Sequence, residues 1–250
     1  MKNPLFQYIL GLADDALIIG QRLSEWAYRA PFLEEDIALS NISLDLFGRA
    51  NLLLEYASEI NGGENSADDL AFKRNEREFF NHLLCEQPNG DFGKTIVRQF
   101  FFDSFYLLFL VKLTKSKDSQ LAAISQKSLK EVTYHFRHSS QWVIRLGAGT
   151  QESHEKLQKA VNELWIFTDE FFNMNDIDKM MVKQTIGVDR QALKVEWDKE
   201  INRILKKATL ILPEKGHIIS GGKEGIHSEH LGHLLSDMQY LQRAYPDAEW

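Results

Sequence analysis

The sequence contains a single cysteine, Cys85, among 250 residues. An internal disulfide and a zinc site built from several thiolates are therefore excluded, and a reducing compartment such as the cytoplasm is expected. Basic residues are also fewer than acidic ones, 29 against 36, which gives a net charge of −7. Because the sequence has no clustered basic patch, neither nucleic acid nor an anionic membrane surface is expected as a partner.

Long apolar runs are missing as well. The most apolar stretch, residues 100–111, is too short to span a bilayer and contains Asp103, so it predicts a buried helix. The N-terminal residues lack the uninterrupted apolar segment and the small-residue cleavage site of a signal peptide. No glycine-rich phosphate loop, nucleophile elbow or Cys-x-x-Cys motif is present, so no motif indicates nucleotide binding or nucleophilic catalysis.

Only five prolines interrupt the chain, and apolar residues recur at helical spacing over most of it. The predicted helices cover residues 5–28, 34–59, 69–84, 92–113, 119–145, 151–172, 176–182, 190–208 and 226–244. Residues 212–225 are predicted to form a loop. This pattern predicts an all-α fold, in which a four-helix bundle with additional helices forms a single domain over residues 1–250.

Some four-helix bundles hold a di-iron centre, for which two helices each supply a carboxylate and two others each supply a Glu-x-x-His pair. Asp15 lies within the apolar stripe of the first predicted helix, and Asp103 lies within that of the helix at 92–113. A buried carboxylate is costly without a partner. Besides a metal, the alternatives for these two residues are a pair with Arg22, a pair with Arg98, or bonds to a backbone group.

The second predicted helix lacks the ligands that such a centre needs. No histidine occurs between Pro31 and Gly62. Asp45 is rotated by about one residue off the apolar stripe, and the residue three positions beyond it is Gly48. No carboxylate–histidine pair can therefore form on this helix.

The helix at 119–145 carries only part of the pattern. Glu131 is followed at the third position by Tyr134, although His135 and His138 share the face of Glu131. Basic side chains on the same face suit a polar network between helices, or at an interface with another chain, better than a cation site. The sequence thus predicts half of a degenerate site, with an atypical metal site as the alternative, and we expect no bound metal.

A second group of titratable residues lies near the C-terminus. Glu224, His227, His230 and His233 follow one another at spacings of three. Along one helical face such residues could chelate a transition metal. Histidines at a helix start also serve as capping and interface groups, and this structural role is the interpretation that we favour.

Five stretches from both ends of the chain carry a family resemblance. They are LADDALIIGQRLSEW (12–26), LEEDIALSNISLDLFGRANLLLEYA (33–57), EQPNGDFGKTIVRQFFFD (86–103), SLKEVTYHFRHSSQWVIRLGAGTQESH (128–154) and GGKEGIHSEHLGHLLSDMQYLQRAYPDAEW (221–250). With these the chain resembles the C subunits of the bacterial phenylacetyl-CoA 1,2-epoxidases, multicomponent ring-oxygenating systems of phenylacetate degradation.

The resemblance implies a ferritin-like fold and a structural, non-catalytic role. In that family the di-iron centre lies in a separate, catalytic subunit that also binds the CoA thioester, and a reductase supplies electrons from NADPH. No cofactor is therefore expected in this chain, and its partners are expected to be the catalytic subunit and the other components. The alternative is an independent ferritin-like metalloprotein with an atypical metal site. The isolated chain is also a candidate for self-association into a homo-oligomer.

The resemblance also draws attention to the segment before the last predicted helix. Gly221 and Gly222 allow close backbone approach, and Lys223 adds a positive charge near a helix start. We predict that these residues, with His227 and His230, lie at the subunit interface or contact the CoA end of the substrate. The alternative is that the glycines only make the turn that lets the last helix pack.

Overall fold

A computed structural model describes residues 3–214, 218–246 and 248. Within these residues the structure has ten α-helices and no strand, which confirms the all-α prediction. The helices are α1 (Pro4–Ser24), α2 (Leu33–Ile60), α3 (Ala67–Phe72), α4 (Leu83–Glu86), α5 (Phe92–Leu113), α6 (Ser119–Gly147), α7 (Gln151–Leu164), α8 (Asp176–Lys183), α9 (Lys194–Lys207) and α10 (Glu229–Ala244). No helix in these described ranges has the length and apolarity needed to cross a membrane.

The chain divides into two compact units. Unit 1 comprises the described parts of Met1–Pro88 and Gly221–Trp250, and unit 2 comprises those of Asn89–Ser220. The single domain over residues 1–250 stays a prediction.

Unit 1 is built on the hairpin of α1 and α2. Helix α1 starts cleanly because the Asn3 side chain accepts a hydrogen bond from the Leu5 amide and Pro4 occupies the first helical position. The two helices approach closely at Gly20, whose carbonyl accepts a 2.8 Å bond from Ser43 Oγ. A Cβ at Gly20 would lie 3.2 Å from Leu46 Cβ, so the absence of a side chain permits this contact.

Helix α10 belongs to unit 1 and packs its apolar face inward through Leu231, Leu234 and Leu235, all of which are buried. Gln239 Nε2 donates to the Arg74 carbonyl at 3.0 Å. The C-terminal helix thus closes onto the irregular segment that follows α3.

Unit 2 is built on the hairpin of α5 and α6. Asp91 and Asp118 cap the two helix starts through their side chains. Phe100 stacks on Phe136 across the hairpin with ring centroids 6.2 Å apart. Trp197 from α9 is wholly buried and donates from its indole nitrogen to Ser104 Oγ at 2.8 Å, so the largest core side chain also has its polar atom satisfied.

The helix predicted at 69–84 is wrong in most of its length. Helix α3 ends at Phe72, a 3₁₀ turn follows at Glu76–Glu78, and α4 begins only at Leu83. The amides of Phe80 and His82 donate to carboxylates on α1 instead of to carbonyls one helical turn earlier. Tertiary hydrogen bonds have therefore replaced the helical ones.

Three other predicted ends are wrong, two of them by about one turn and the third by about two turns. Helix α1 ends at Ser24 instead of residue 28, and Tyr28 takes a left-handed φ of 66°. The predicted helix 151–172 changes at Trp165 to a 3₁₀ helix, where the Trp165 ring stacks on Trp197 at 5.6 Å. The predicted helix 190–208 begins as α9 at Lys194, after a 3₁₀ turn at Gln191–Leu193.

The last helix begins at Glu229 instead of residue 226. Gly225 before it has a φ of 75°, and the Ser228 amide is bound by a buried carboxylate. The predicted loop at 212–225 contains a 3₁₀ turn at Gly222–Glu224, and its residues 215–217 lie outside the described part of the chain.

Candidate functional site

Asp15 lies at the centre of a buried polar cluster in unit 1. Its side chain is fully buried on α1, as the apolar stripe predicts. Oδ1 accepts from the His82 amide at 2.6 Å, and Oδ2 lies 2.9 Å from His82 Nδ1 and 2.7 Å from Lys223 Nζ. Burial would raise the pKa of Asp15, but His82 and Lys223 outweigh it and hold that pKa well below its usual range.

Asp14, the neighbour of Asp15, holds a second buried ion pair. The Arg74 guanidinium binds both of its carboxylate oxygens, and the Phe80 amide donates to Oδ2 at 2.8 Å. Arg74 also donates to the Glu78 carbonyl at 2.7 Å and lies 4.0 Å over the Phe79 ring. Two consecutive aspartates on α1 therefore fix the backbone of the irregular segment after α3.

Glu86 is the third buried carboxylate of this unit. Its Oε1 accepts from the Ser228 amide at 2.7 Å, and its Oε2 lies 3.1 Å from Asn81 Nδ2 and 2.9 Å from His227 Nδ1. The other ring nitrogen of His227 lies 2.8 Å from the Phe79 carbonyl oxygen. The segment before α10 is thus bound both to Glu86 at the end of α4 and to Phe79 before that helix.

The loop at Gly221–Gly222–Lys223 is part of the same packing. Gly221 has a φ of 141°, which favours glycine, and a Cβ at Gly222 would overlap the Asn81 carbonyl oxygen. Lys223 Nζ donates to Asp15 and, at 2.9 Å, to the Gly11 carbonyl. A contact between Lys223 and CoA stays a prediction, but it would require the ammonium group to leave this buried carboxylate.

Asp103 lies in a different buried cluster, within unit 2. Gln99 Nε2 donates to Oδ1 at 2.6 Å, and Ser139 Oγ donates to Oδ2 at 2.9 Å. Ser139 Oγ also lies 3.0 Å from the His135 carbonyl oxygen. Ser139 therefore links Asp103 on α5 to α6, the helix that carries His135. Burial raises the pKa of Asp103 to about 6, although the charge of His135 and these hydrogen bonds act in the opposite direction.

The remaining predicted residues are less enclosed. Asp45 on α2, Glu131 and His138 on α6 and His230 on α10 are half-buried. The His138 ring stacks on Tyr134 with centroids 6.3 Å apart. The His230 carbonyl accepts from Arg22 Nη2 at 3.0 Å.

Arg22 and Arg98, which were considered as partners of the buried aspartates, donate to other oxygen atoms. The guanidinium of Arg22 donates to the Glu86 carbonyl at 2.8 and 3.0 Å, and Arg98 Nη2 donates to Asn89 Oδ1 at 2.6 Å. The expected backbone donor is found for Asp15, whereas its cationic partner is Lys223. The histidine series near the C-terminus is not a single helical face, because His227 precedes α10.

The buried carboxylates do not fit the requirements of a di-iron centre. An iron ligand needs an oxygen lone pair directed at the metal, but Asp14, Asp15 and Glu86 direct theirs at protein cations and N–H groups. Among residues 3–214, 218–246 and 248, no group of three or more His, Cys, Asp or Glu side chains is arranged to hold a metal ion.

Sequence reasoning missed Asp14, Arg74, His82 and Glu86. The pair Asp14–Asp15 within an apolar stripe was the available signal, because two adjacent acids on a buried helix require partners. The partners themselves lie 60 to 208 residues away along the chain, and no local pattern identifies them.

Two comparisons with known proteins identify the family of the chain. The family described as "Phenylacetic acid catabolic protein" matches residues 1–250. The chain is 48% identical over 248 residues to the C subunit of the 1,2-phenylacetyl-CoA epoxidase of Escherichia coli, and the match covers 99% of this chain and 100% of that protein. The predicted fold class, all-α and ferritin-like with additional helices, is confirmed. The chain therefore belongs to the phenylacetic acid catabolic protein family.

Proposed function

We propose that this chain is the structural, non-catalytic C subunit of a complex that epoxidises the aromatic ring of phenylacetyl-CoA. In this complex the chain packs on a catalytic subunit that holds the di-iron centre, and a reductase supplies the electrons. The observation that carries the proposal is the similarity to the C subunit of the Escherichia coli epoxidase, which extends over the whole length of both chains.

The state of the buried acids supports a role without iron. Asp14, Asp15 and Glu86 are each bound by a cation or by several N–H donors of the chain itself. Replacing such partners by iron would leave Arg74 or Lys223 as an uncompensated buried charge. The polar interior of unit 1 therefore stabilises the fold and leaves the oxygen chemistry to the partner.

An exposed apolar ridge on unit 1 supports the role of a subunit. It consists of five side chains that are 53 to 99% exposed, namely Tyr28, Phe32, Leu33, Ile37 and Leu44. Residues 33, 37 and 44 share one face of α2 because they are separated by four and seven positions. An apolar surface of this kind is typical of an interface.

We assign this apolar ridge, at and before the first half of α2, to the contact with the catalytic subunit. The first turn of α2 contains Glu34, Glu35 and Asp36, so the complementary surface is expected to be apolar with a basic rim. Covering a side chain such as Leu33 would contribute about 1.5 to 3 kcal/mol.

Co-expression with the catalytic subunit, followed by size-exclusion chromatography and iron analysis, tests the proposal. We expect a stable hetero-complex whose iron resides in the partner. The variant Ile37→Lys should weaken the complex at least tenfold, whereas Val195→Lys, at an 81% exposed apolar side chain in unit 2, should not. Two irons bound per isolated chain, or a catalytic subunit fully active without this chain, would overturn the proposal.

A further inference from the structure

The imidazole of His227 lies between two hydrogen-bond acceptors, although its side chain is fully buried. Nε2 faces the Phe79 carbonyl oxygen at 2.8 Å, and a carbonyl can only accept. Nε2 must therefore carry a hydrogen. Nδ1 faces Glu86 Oε2 at 2.9 Å, so this second contact decides the protonation state of the ring.

Both carboxylate oxygens of Glu86 accept hydrogen bonds from N–H groups. The Ser228 amide donates to Oε1 at 2.7 Å, and Asn81 Nδ2 donates to Oε2 at 3.1 Å. A carboxylate accepts only, so a hydrogen on Nδ1 completes this contact and makes the His227 ring an imidazolium ion.

The other charged groups around His227 and Glu86 have hydrogen-bond or ion-pair partners of their own. From α1, Asp14 is paired with Arg74, and Arg22 binds the Glu86 carbonyl. Lys223, from the C-terminal segment, is paired with Asp15, which also binds His82. These neighbouring cations are engaged elsewhere, so the proton on His227 supplies the charge that neutralises the Glu86 carboxylate.

We propose that His227 and Glu86 form a proton-dependent latch that fastens residues 221–230 to residues 79–86 and opens as the pH rises. Deprotonation of His227 leaves two acceptors facing each other, at Nδ1 and Glu86 or at Nε2 and Phe79. One buried hydrogen bond is then lost and the Glu86 charge is left uncompensated. The loop that carries Lys223 is released with the latch.

The direction of the effect follows from the folded-state equilibrium. Burial alone would lower the pKa of His227, but Glu86, the Phe79 carbonyl and Asp14 raise it above its ordinary value of 6.5. The stabilisation by the latch is therefore fully present below pH 6.5, the unfolded value. It is lost as the pH rises through the folded pKa.

The amide of Ser228 is a direct reporter of the latch, because it donates to Glu86. Its hydrogen-exchange protection factor should fall at least tenfold between pH ~6 and pH ~9 in the wild-type chain. The Leu121 amide, which donates to the Asp118 carboxylate at 2.9 Å in unit 2, is the matched control and should keep its protection. His227→Gln, which cannot be protonated, should lower the Ser228 protection at neutral pH and remove its pH dependence. His154→Gln, at a half-buried histidine on the Gly147 carbonyl, should change neither.

Long-range ¹H–¹⁵N correlation of the imidazole in the wild-type chain gives a second test that needs no variant. We expect both ring nitrogens to be protonated at pH ~6 and one of the two protons to be lost with a midpoint above 6.5. One unprotonated ring nitrogen at pH ~6.5, or a Ser228 protection factor unchanged up to pH ~9, would overturn the proposal.

Discussion

Asp15 and Asp103 are both fully buried carboxylates near the middle of long helices, but their surroundings differ. Asp15 is bound by the ammonium of Lys223 and by His82, whereas Asp103 is hydrogen-bonded by the neutral side chains of Gln99 and Ser139. The pKa of Asp15 is consequently lowered, and that of Asp103 is raised to about 6. The two units have thus stabilised a buried acid in different ways, one by pairing its charge and the other by hydrogen-bonding it in a site where burial favours its neutral form.

The largest difference is expected when each carboxylate is made neutral. Asp15→Asn leaves the buried Lys223 ammonium without its counter-charge, which should lower the free energy of unfolding by about 3 to 5 kcal/mol. Asp103→Asn should change it by about 1 kcal/mol or less at neutral pH, because the amide keeps the shape and no buried cation loses its partner. Urea unfolding of both variants measures the two values.

Asp176→Asn is the control for the amide substitution itself, since the Asp176 side chain is wholly exposed, and no measurable change is expected. Equal losses for Asp15→Asn and Asp103→Asn would remove the distinction between the two acids.

The helices were predictable to the extent that their hydrogen bonds are local. Helix α5 has the predicted bounds because its apolar residues recur at helical spacing and Asp91 caps its start. The segment 69–84 was mispredicted because Asp14 and Asp15 bind its backbone amides. Local propensity cannot register acceptors more than 60 residues away.

The burial of the candidate site residues could be predicted from the sequence, but their hydrogen-bond and ion-pair partners could be predicted only in part. The apolar stripes correctly placed Asp15 and Asp103 in the interior. They gave no sign of the role of Lys223, which was expected at an interface or on CoA because the two glycines allow close backbone approach and the lysine adds a positive charge near a helix start. Its pairing with Asp15 depends on the path of the C-terminal segment, and that path is set by contacts such as His227 with Glu86.

An intermediate effect is expected in the pH dependence of stability. Asp103 has an ordinary pKa of 3.8 and a folded pKa of about 6, so the folded chain retains a proton that the unfolded chain has released. Its contribution is fully present below pH 3.8 and is lost as the pH rises through about 6. At ~1.4 kcal/mol per pKa unit the change is on the order of 2 to 3 kcal/mol.

Unfolding free energies of the wild-type chain and Asp103→Asn across this interval measure that contribution as their difference. Asp15 contributes in the opposite direction, since its lowered pKa gives stability above pH 3.8 that is lost only as the pH falls through its folded value. A wild-type and Asp103→Asn difference that is constant from pH ~4 to pH ~7 would show that Asp103 does not titrate there.

The smallest effect is expected from the hydroxyl that holds Asp103. Ser139→Ala removes the 2.9 Å bond from Ser139 Oγ to Oδ2, which should cost about 1 kcal/mol at neutral pH, where the carboxylate is charged. Because this bond favours the ionised form, its loss should raise the pKa of Asp103 further and move the end of the pH-dependent interval upward. Ser125→Ala is the matched control, since Ser125 is equally buried on α6 but donates to the Leu121 carbonyl at 2.7 Å. Ser125→Ala should not shift the pH range over which Asp103 changes the stability. If this pH range shifts equally in Ser139→Ala and Ser125→Ala, or shifts in neither, then Ser139 does not set the protonation of Asp103.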